Sequence, residues 1–245
     1  MHPLRGVNFA PSFASRQRGR QRGYSDKPLF IGIFVLAIVA GLLLWWFGQR
    51  PADYTTLLLY PKPKPIVEYA LTEYRRNAGG ELISTPLTPA QMTGRWRMLF
   101  FGFTTCPDIC PTTLTDLKGL AKTLGPQMPE LIFVSIDPER DNPETLRDYV
   151  DFFAPNIRTI SSADIPALTH FSAQLGAVFG KVPNEDGSSY TMDHSASLYL
   201  LDPNGALVGL IRPPHDMKAI AADLRAYLPT QLPRSVASAS QGQTL

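Results

Sequence analysis

The sequence has little of what marks several common classes of protein. Only 18% of its 245 residues are charged, and the formal net charge is +2. Its basic residues form no stripe interleaved with aromatics, so nothing favours a nucleic-acid partner. It contains no internal repeat and no glycine-rich phosphate loop. Cysteine occurs only twice, at Cys106 and Cys110, and the search for chemistry therefore starts at this pair.

The two cysteines lie between an apolar run and a helical pattern. Met98 to Phe103 is apolar throughout and predicts a buried strand, while leucines at helical spacing follow Pro111. Proline suits the first position of a helix, where its missing N–H costs nothing. We therefore expect an irregular loop from Cys106 to Cys110. Cys110 would then meet the positive end of the helix, which favours thiolate over thiol.

Three interpretations of the pair remain open from its spacing alone. A structural disulfide, a redox pair and a metal-binding pair are all compatible with two cysteines four positions apart. The usual thiol–disulfide oxidoreductase has two residues between its cysteines, whereas this chain has three. A peroxidase is a further alternative, which the lack of an arginine near Cys106 in the loop disfavours. A third ligand, if there is one, must come from another part of the chain.

Of the four histidines, one is the best candidate for that third ligand. His194 lies between a polar loop and a buried strand, where it can approach the cysteine loop. His2 falls in the N-terminal segment, His170 is expected to be exposed, and His215 is expected to be a local cap at the last helix.

Two thiolates and one imidazole form a soft donor set. Such a set suits copper, including Cu(I), and can also take zinc. A closed structural zinc site is disfavoured because it nearly always uses four ligands, and only three good candidates exist. Asp108 and Asp193 are either groups that orient the ligands or ordinary solvated loop residues.

A long apolar segment precedes the rest of the chain. Leu29 to Phe47 covers 19 residues without a charge or a proline, which as a helix spans about 28 Å, close to the ~30 Å hydrocarbon core of a bilayer. Trp45 and Trp46 fall at its far end, where interfacial aromatics occur. A cleavable signal peptide has a shorter apolar region. The segment therefore predicts an uncleaved, single-pass transmembrane helix.

The flanking charges predict its orientation. Six basic residues precede the segment, against one acid, Asp26. The positive-inside rule then leaves the N-terminus in the cytoplasm and the remaining chain outside. A bacterial inner membrane with a periplasmic domain is the favoured location. An arginine-rich N-terminus also suits a mitochondrial transit peptide, so a mitochondrial inner membrane facing the intermembrane space is the alternative.

The rest of the organisation follows from composition and periodicity. Residues 1–28 are predicted to be a disordered basic N-terminus, 48–65 a Pro/Lys tether, and 229–245 a disordered tail. Between them, 66–228 alternates strands and helices, starting with a strand at 66–71, and closes with a hairpin and a helix. This order predicts a three-layer α/β domain. A strand–cysteine loop–helix unit near its start makes a thioredoxin-like fold the best fit.

Three stretches of the chain stand out as motifs: FGFTTCPDICP from Phe101 to Pro111, VSIDPERD from Val134 to Asp141, and YTMDHS from Tyr190 to Ser195. They resemble the Sco/SenC family of membrane-tethered copper proteins. The first and third are specific in combination, and the second supports them. The similarity extends over residues 65 to 228.

The resemblance implies both a site and a function. It implies copper ligands at Cys106, Cys110 and His194 in a thioredoxin-like domain. The protein would be a metallochaperone rather than an enzyme, and it would deliver copper to the dinuclear copper centre on subunit II of cytochrome c oxidase. A thiol–disulfide oxidoreductase acting on the cysteines of the same subunit, or on other extracytoplasmic proteins, is the alternative. Other copper chaperones or a thioredoxin-like reductant would be further partners.

Overall fold

The structure, a computed structural model, describes residues 27–48 and 54–231, and it describes side chains for 33–44 and 54–228. The chain divides into two compact units, residues 1–51 and 52–245. The first unit contains helix α1, Lys27–Gly48. Within the described residues, no helix combines the length and the apolar character that crossing a membrane requires. The predicted N-terminal segment 1–28 and tail 229–245 fall almost wholly outside the described residues.

In its described residues, the second unit is built on an eight-stranded mixed sheet with four α-helices. The strands follow the order β1-β10-β9-β4-β5-β6-β2-β3, and β7 pairs with β8 in a separate two-stranded sheet. The elements are β1 Leu57–Lys64, β2 Thr72–Arg76, β3 Leu82–Pro86, β4 Arg97–Gly102, α2 Ile109–Leu124, β5 Glu130–Ser135, α3 Pro143–Phe153, β6 Arg158–Ser161, α4 Ile165–Leu175, β7 Phe179–Pro183, β8 Tyr190–His194, β9 Leu198–Leu201, β10 Leu207–Ile211 and α5 Met217–Gln231.

Strand β4 lies in the middle of the sheet and leads directly to the cysteines. All six of its residues are buried, as its apolar composition predicts for a strand covered on both faces. It runs parallel to β5 and antiparallel to β9. The loop that follows β4 therefore emerges from the centre of the sheet, at the same edge as the loop that follows β5.

Helices cover both faces of this sheet, which makes three layers. On one face, Phe100 packs against Phe133, which in turn meets Tyr149 of α3. Helices α2 and α5 pack against each other on the same side. On the other face, Phe101 contacts Phe171 of α4. The mixed α/β order predicted from the sequence is therefore present.

Local signals mark the start of helix α3 and the end of helix α4. Asn142 is the N-cap of α3 and accepts a hydrogen bond from the backbone N–H of Thr145 at 2.9 Å, and Pro143 takes the first helical position. Helix α4 covers Ile165–Leu175 and ends at Gly176, whose φ of 74° is left-handed.

The structure corrects the predicted tether and first strand. Part of the predicted 48–65 spacer is strand β1, which pairs antiparallel with β10. The expected strand at 66–71 is not a strand, so the first strand lies several residues earlier. Pro61 and Pro63 favour an extended spacer by composition, but proline is also tolerated at the outer strand of a sheet, where no partner needs its N–H. Strand β1 is such an edge strand.

Candidate metal centre

The cysteine loop spans the gap between β4 and α2. Helix α2 begins at Ile109, with Asp108 in the N-cap position, two residues before the start that Pro111 predicts. Pro111 is therefore the third helical residue. This position is permitted because the first four N–H groups of a helix have no acceptor within it. Cys110 lies in the first turn, and its backbone N–H points to Cys106 Sγ at 3.4 Å.

The structure brings the three predicted ligands together. The Sγ atoms of Cys106 and Cys110 and a ring nitrogen of His194 all lie within 4.8 Å of one another. Cys110 Sγ is 3.9 Å from His194 Nε2, although 84 residues separate them in the chain. Cys110 is fully buried, whereas Cys106 and His194 are partly exposed. Among the described residues, no fourth His, Cys, Asp or Glu side chain joins this group.

His194 presents Nε2 to the thiols because its other ring nitrogen has a different partner. Nδ1 lies 3.2 Å from the backbone oxygen of Ser195. A carbonyl oxygen can only accept, so Nδ1 carries the proton and donates it. The lone pair of the neutral ring is then on Nε2, the tautomer that metal-binding histidines use. The ring also meets Phe103 edge to face, with 5.9 Å between centroids.

The two thiols differ strongly in their acidity. A hydrogen bond from the Cys110 thiol, helped by the backbone N–H groups of Cys110 and Asp108, outweighs burial and lowers the pKa of Cys106 to about 4. The same hydrogen bond, together with burial, raises the pKa of Cys110. The pair therefore holds one negative charge, on the partly exposed sulfur. A thiolate is the form of cysteine that binds metals and attacks disulfides.

Asp141 supports the cysteine loop and was not predicted as a site residue. Its buried carboxylate accepts hydrogen bonds from the backbone N–H of Thr104, at 3.1 Å from each oxygen, and from the hydroxyls of Thr104 and Ser135. Desolvation raises the pKa of Asp141 in spite of these bonds. The acids that follow β5 in the chain were the only sequence signal for this role.

Within the part of the chain that the structure describes, the side chains of the other candidates make no hydrogen bond with the ligands, and Asp108 meets Cys106 only through its backbone N–H. Asp108 is exposed, and its side chain makes one long contact of 3.5 Å with Thr112. Asp193 is also exposed. His170 is exposed as predicted, and His2 lies outside the described residues. His215 is partly buried, and its Nε2 has no hydrogen-bond partner among the described residues.

These features define a class of protein, a thioredoxin-like α/β domain in which a dithiol at the end of a central strand meets a histidine from a distant hairpin. The chain belongs to the SCO1/SenC family, whose sequence profile matches residues 82–229. A Stutzerimonas stutzeri protein named as a candidate copper-binding protein is 33% identical over 165 residues, which are 66% of this chain and 76% of that protein. The mitochondrial SCO2 homologue of Mus musculus is 29% identical over 147 residues, 58% of this chain and 57% of its own length.

Solved structures agree with this assignment. ScoI of Bradyrhizobium japonicum with copper bound is 30% identical and superposes with a TM-score of 0.52, covering 66% of this chain and 99% of its own. Apo Sco1 of Thermus thermophilus is 30% identical with a TM-score of 0.55, covering 72% and 99%. Yeast Sco1 with copper bound is 25% identical with a TM-score of 0.54, covering 73% and 96%.

Proposed function

We propose that this protein binds copper through Cys106, Cys110 and His194 and passes it to another protein. The observation that carries the proposal is the convergence of two sulfurs and one ring nitrogen within 4.8 Å. A trigonal set of two thiolates and an imidazole, without an oxygen donor, suits Cu(I). Copper is the cargo of this site.

The spacing of the donors fits a single small ion. Sulfur and imidazole ligands of a comparable ion, Zn²⁺, lie about 2.0–2.3 Å from it, so three donors around a trigonal centre are about 3.7 Å apart. The observed 3.9 Å between Cys110 Sγ and His194 Nε2 is close to this value. Cys106 lies at the solvent side of the group, so a receiving protein can reach its sulfur.

We propose the dinuclear copper centre on subunit II of cytochrome c oxidase as the recipient. This proposal rests on the Sco/SenC family and not on any contact in the structure. Partial exposure of Cys106 supports it, because an ion transferred between proteins must be shared by ligands of both. A fully enclosed site would have to open first.

We further propose that Leu29 to Phe47 anchors the chain in a bacterial inner membrane, with the domain in the periplasm. The segment has no charged residue, and large apolar side chains between Ile33 and Leu44 are exposed. Exposed apolar surface of this extent marks a membrane or protein contact. Carbonate extraction of membranes tests the proposal: the full chain should stay with the membrane, and release into the supernatant would contradict it.

Metal analysis of the full chain tests the copper site. Purified in detergent under reducing conditions, the wild type should bind one Cu(I), measured by competition with a chromogenic chelator. His194→Ala should bind much more weakly because it leaves two sulfurs only. His170→Ala is the matched control and should equal the wild type, since that histidine is exposed and is not part of the three-residue ligand group. Equal affinity of His194→Ala and the wild type would remove His194 from the site.

A thiol–disulfide oxidoreductase is the second candidate function. The depressed pKa of the partly exposed Cys106, beside a buried thiol of raised pKa, favours it. Cys106 would attack a substrate disulfide, and Cys110 would then displace the reduced substrate, leaving the pair oxidised. A thioredoxin-like reductant would have to supply the electrons that restore both thiols.

The two functions predict different effects of His194. Disulfide reduction needs both cysteines, but His194→Ala should retain most of it. Copper transfer should be lost in all three single variants. If the reductase activity of the wild type is no greater than that of Cys106→Ser, the second function is excluded.

A further inference from the structure

The hairpin that carries His194 is separate from the main sheet. Among the described strands, β7 and β8 pair only with each other, and His194 is the last residue of β8. An isolated two-stranded hairpin is at best marginally stable in water. The position of the His194 ring therefore depends on contacts that hold this hairpin against the rest of the domain.

One group of these contacts surrounds Tyr190, the first residue of β8. The guanidinium carbon of Arg140 lies 3.9 Å from the centre of the Tyr190 ring, and Arg140 Nη1 donates to the Tyr190 backbone oxygen at 2.8 Å. Lys181 Nζ lies 4.6 Å from the centre of the same ring. Two cations therefore contact one aromatic ring, an arrangement that the negative faces of the ring favour.

A buried carboxylate completes the contact. Asp137 is 1% exposed. It pairs with Arg140 and accepts a hydrogen bond from Tyr190 Oη at 2.9 Å. Each of the three side chains thus touches the other two. A charge pair is strengthened where solvent is excluded, and loss of one partner leaves the other buried and unpaired.

The loop between β5 and α3, which contains Asp137 and Arg140, also supports the cysteines. Residues 136–141 follow β5 and end at Asp141, which holds Thr104 at the start of the cysteine loop. Arg140 additionally lies 5.7 Å from the ring of Phe103, which packs against the His194 ring. One short segment therefore contacts both parts of the chain that contribute ligands.

We propose that Arg140 and Tyr190 are positioning residues of the metal centre: they fix the hairpin so that His194 remains on the ion held by the two cysteines. This inference rests on the proposed function. It deepens that function by assigning the control of copper release to the docking of the hairpin. The sulfurs are held by separate contacts, so undocking removes the nitrogen ligand and leaves copper on the thiolates, from which a recipient takes it.

The proposal is tested by measuring the copper binding of variants in two backgrounds, the wild type and His194→Ala. Arg140→Gln and Tyr190→Leu in the full chain should each weaken Cu(I) binding about tenfold or more and speed transfer to a chelator by a similar factor. Neither variant should weaken it further when His194 is already alanine, because both act through that ring. Equal losses in both backgrounds would mean a merely structural role and would overturn the proposal.

Two conservative variants and one control sharpen the test. Tyr190→Phe keeps the ring and loses only the contacts of the hydroxyl, with Asp137 at 2.9 Å and with Glu139 at 3.5 Å, so its loss of affinity should be smaller than that of Tyr190→Leu. Arg140→Lys keeps the cation and should recover part of the affinity that Arg140→Gln loses. Arg225→Gln removes an arginine that donates to the Thr123 backbone oxygen, and it should match the wild type. A loss in Arg225→Gln equal to that in Arg140→Gln would overturn the proposal.

A measurement without copper separates this inference from the proposed function. Amide hydrogen exchange in β7 and β8 should be faster in Arg140→Gln and Tyr190→Leu than in the wild type, with α4 unchanged. If Arg140→Gln does not fold because Asp137 is left unpaired, Tyr190→Leu alone decides. Faster exchange in a protein that binds no copper would refute the proposed function and leave the docking contact standing. Unchanged exchange would refute the docking contact itself.

Discussion

Gly102 leaves the space that the Cys110 sulfur occupies. A Cβ at this position would lie 2.9 Å from Cys110 Sγ and 2.8 Å from the Phe133 ring. Ordinary contacts begin at 3.4 Å, so Gly102→Ala must displace the sulfur, the ring or both by about 0.5 Å, and overpacking of this kind costs roughly 1–3 kcal/mol. The φ of Gly102 is not in the left-handed region, so these contacts are the only source of strain.

A shift of the Cys110 sulfur should change the geometry of the metal site. Ligand distances in metal sites hold to about 0.2 Å, so a displacement of about 0.5 Å is large for the site. Mutation of residues that hold metal ligands in place typically changes metal affinity by about 10–100-fold. We therefore expect Gly102→Ala to weaken Cu(I) binding by that factor, measured by chelator competition, and to lower the melting temperature.

Gly119→Ala is the matched control. Gly119 is an exposed glycine in α2, and a Cβ there meets nothing within 4 Å. This substitution should leave copper binding unchanged and stabilise the helix by about 0.5–1 kcal/mol. Wild-type copper affinity and an unchanged absorption spectrum in Gly102→Ala would refute the reasoning, because they would mean that the sulfur position does not limit binding.

Two further substitutions test the supports of the fold and of the cysteine loop. Asp223, which is 6% exposed, accepts from the backbone of Thr56 and Leu57 at 2.7 and 3.0 Å. Although burial opposes them, these bonds lower the pKa of Asp223, so its stabilisation is complete above about pH 4 and is lost as pH falls through the lower folded value. Asp223→Asn should cost about 2–4 kcal/mol in chemical unfolding at pH 7 and less at pH 2, and an equal cost at both would contradict this. Asp141→Ala removes the acceptor for Thr104 and should weaken Cu(I) binding about tenfold. Asp186→Ala, in an exposed turn, is its control, and equal affinity of the two variants would contradict the role of Asp141.

Elements with strong local signals were predictable. Asn142 and Pro143 are local signals for the start of α3, which the capping bond from Thr145 bears out, and Gly176 is a local signal for the end of α4, Ile165–Leu175. Strand β4 was recognisable because its residues from Met98 to Gly102 are all apolar. In each of these, neighbouring residues contain the information that determines the structure.

Strands with weak burial were not predictable in the same way. In β7 no residue is fully buried, so the strand shows no alternation of apolar and polar positions. In β1, proline and lysine alternate, which resembles a spacer until its partner β10 is known. Both strands are defined by pairing with another part of the chain, and a local pattern does not contain that information.

The residues of the metal site fall into the same two groups, those recognisable from local sequence and those defined by contacts in the folded chain. The ligands were chosen because their residue types are rare and because the motifs resemble a known family. Their convergence over 84 residues depends on how the hairpin docks, and sequence spacing does not encode it. Gly102, Arg140 and Asp141 act through contacts of the folded chain, so their roles became visible only with the structure.

The most direct test of the central claim is X-ray absorption spectroscopy of the Cu(I)-loaded full chain. The account predicts an ion with two sulfur ligands and one nitrogen ligand, and loss of the nitrogen contribution in His194→Ala with both sulfurs retained. A spectrum with two sulfurs only, identical in the wild type and in His194→Ala, would contradict the account.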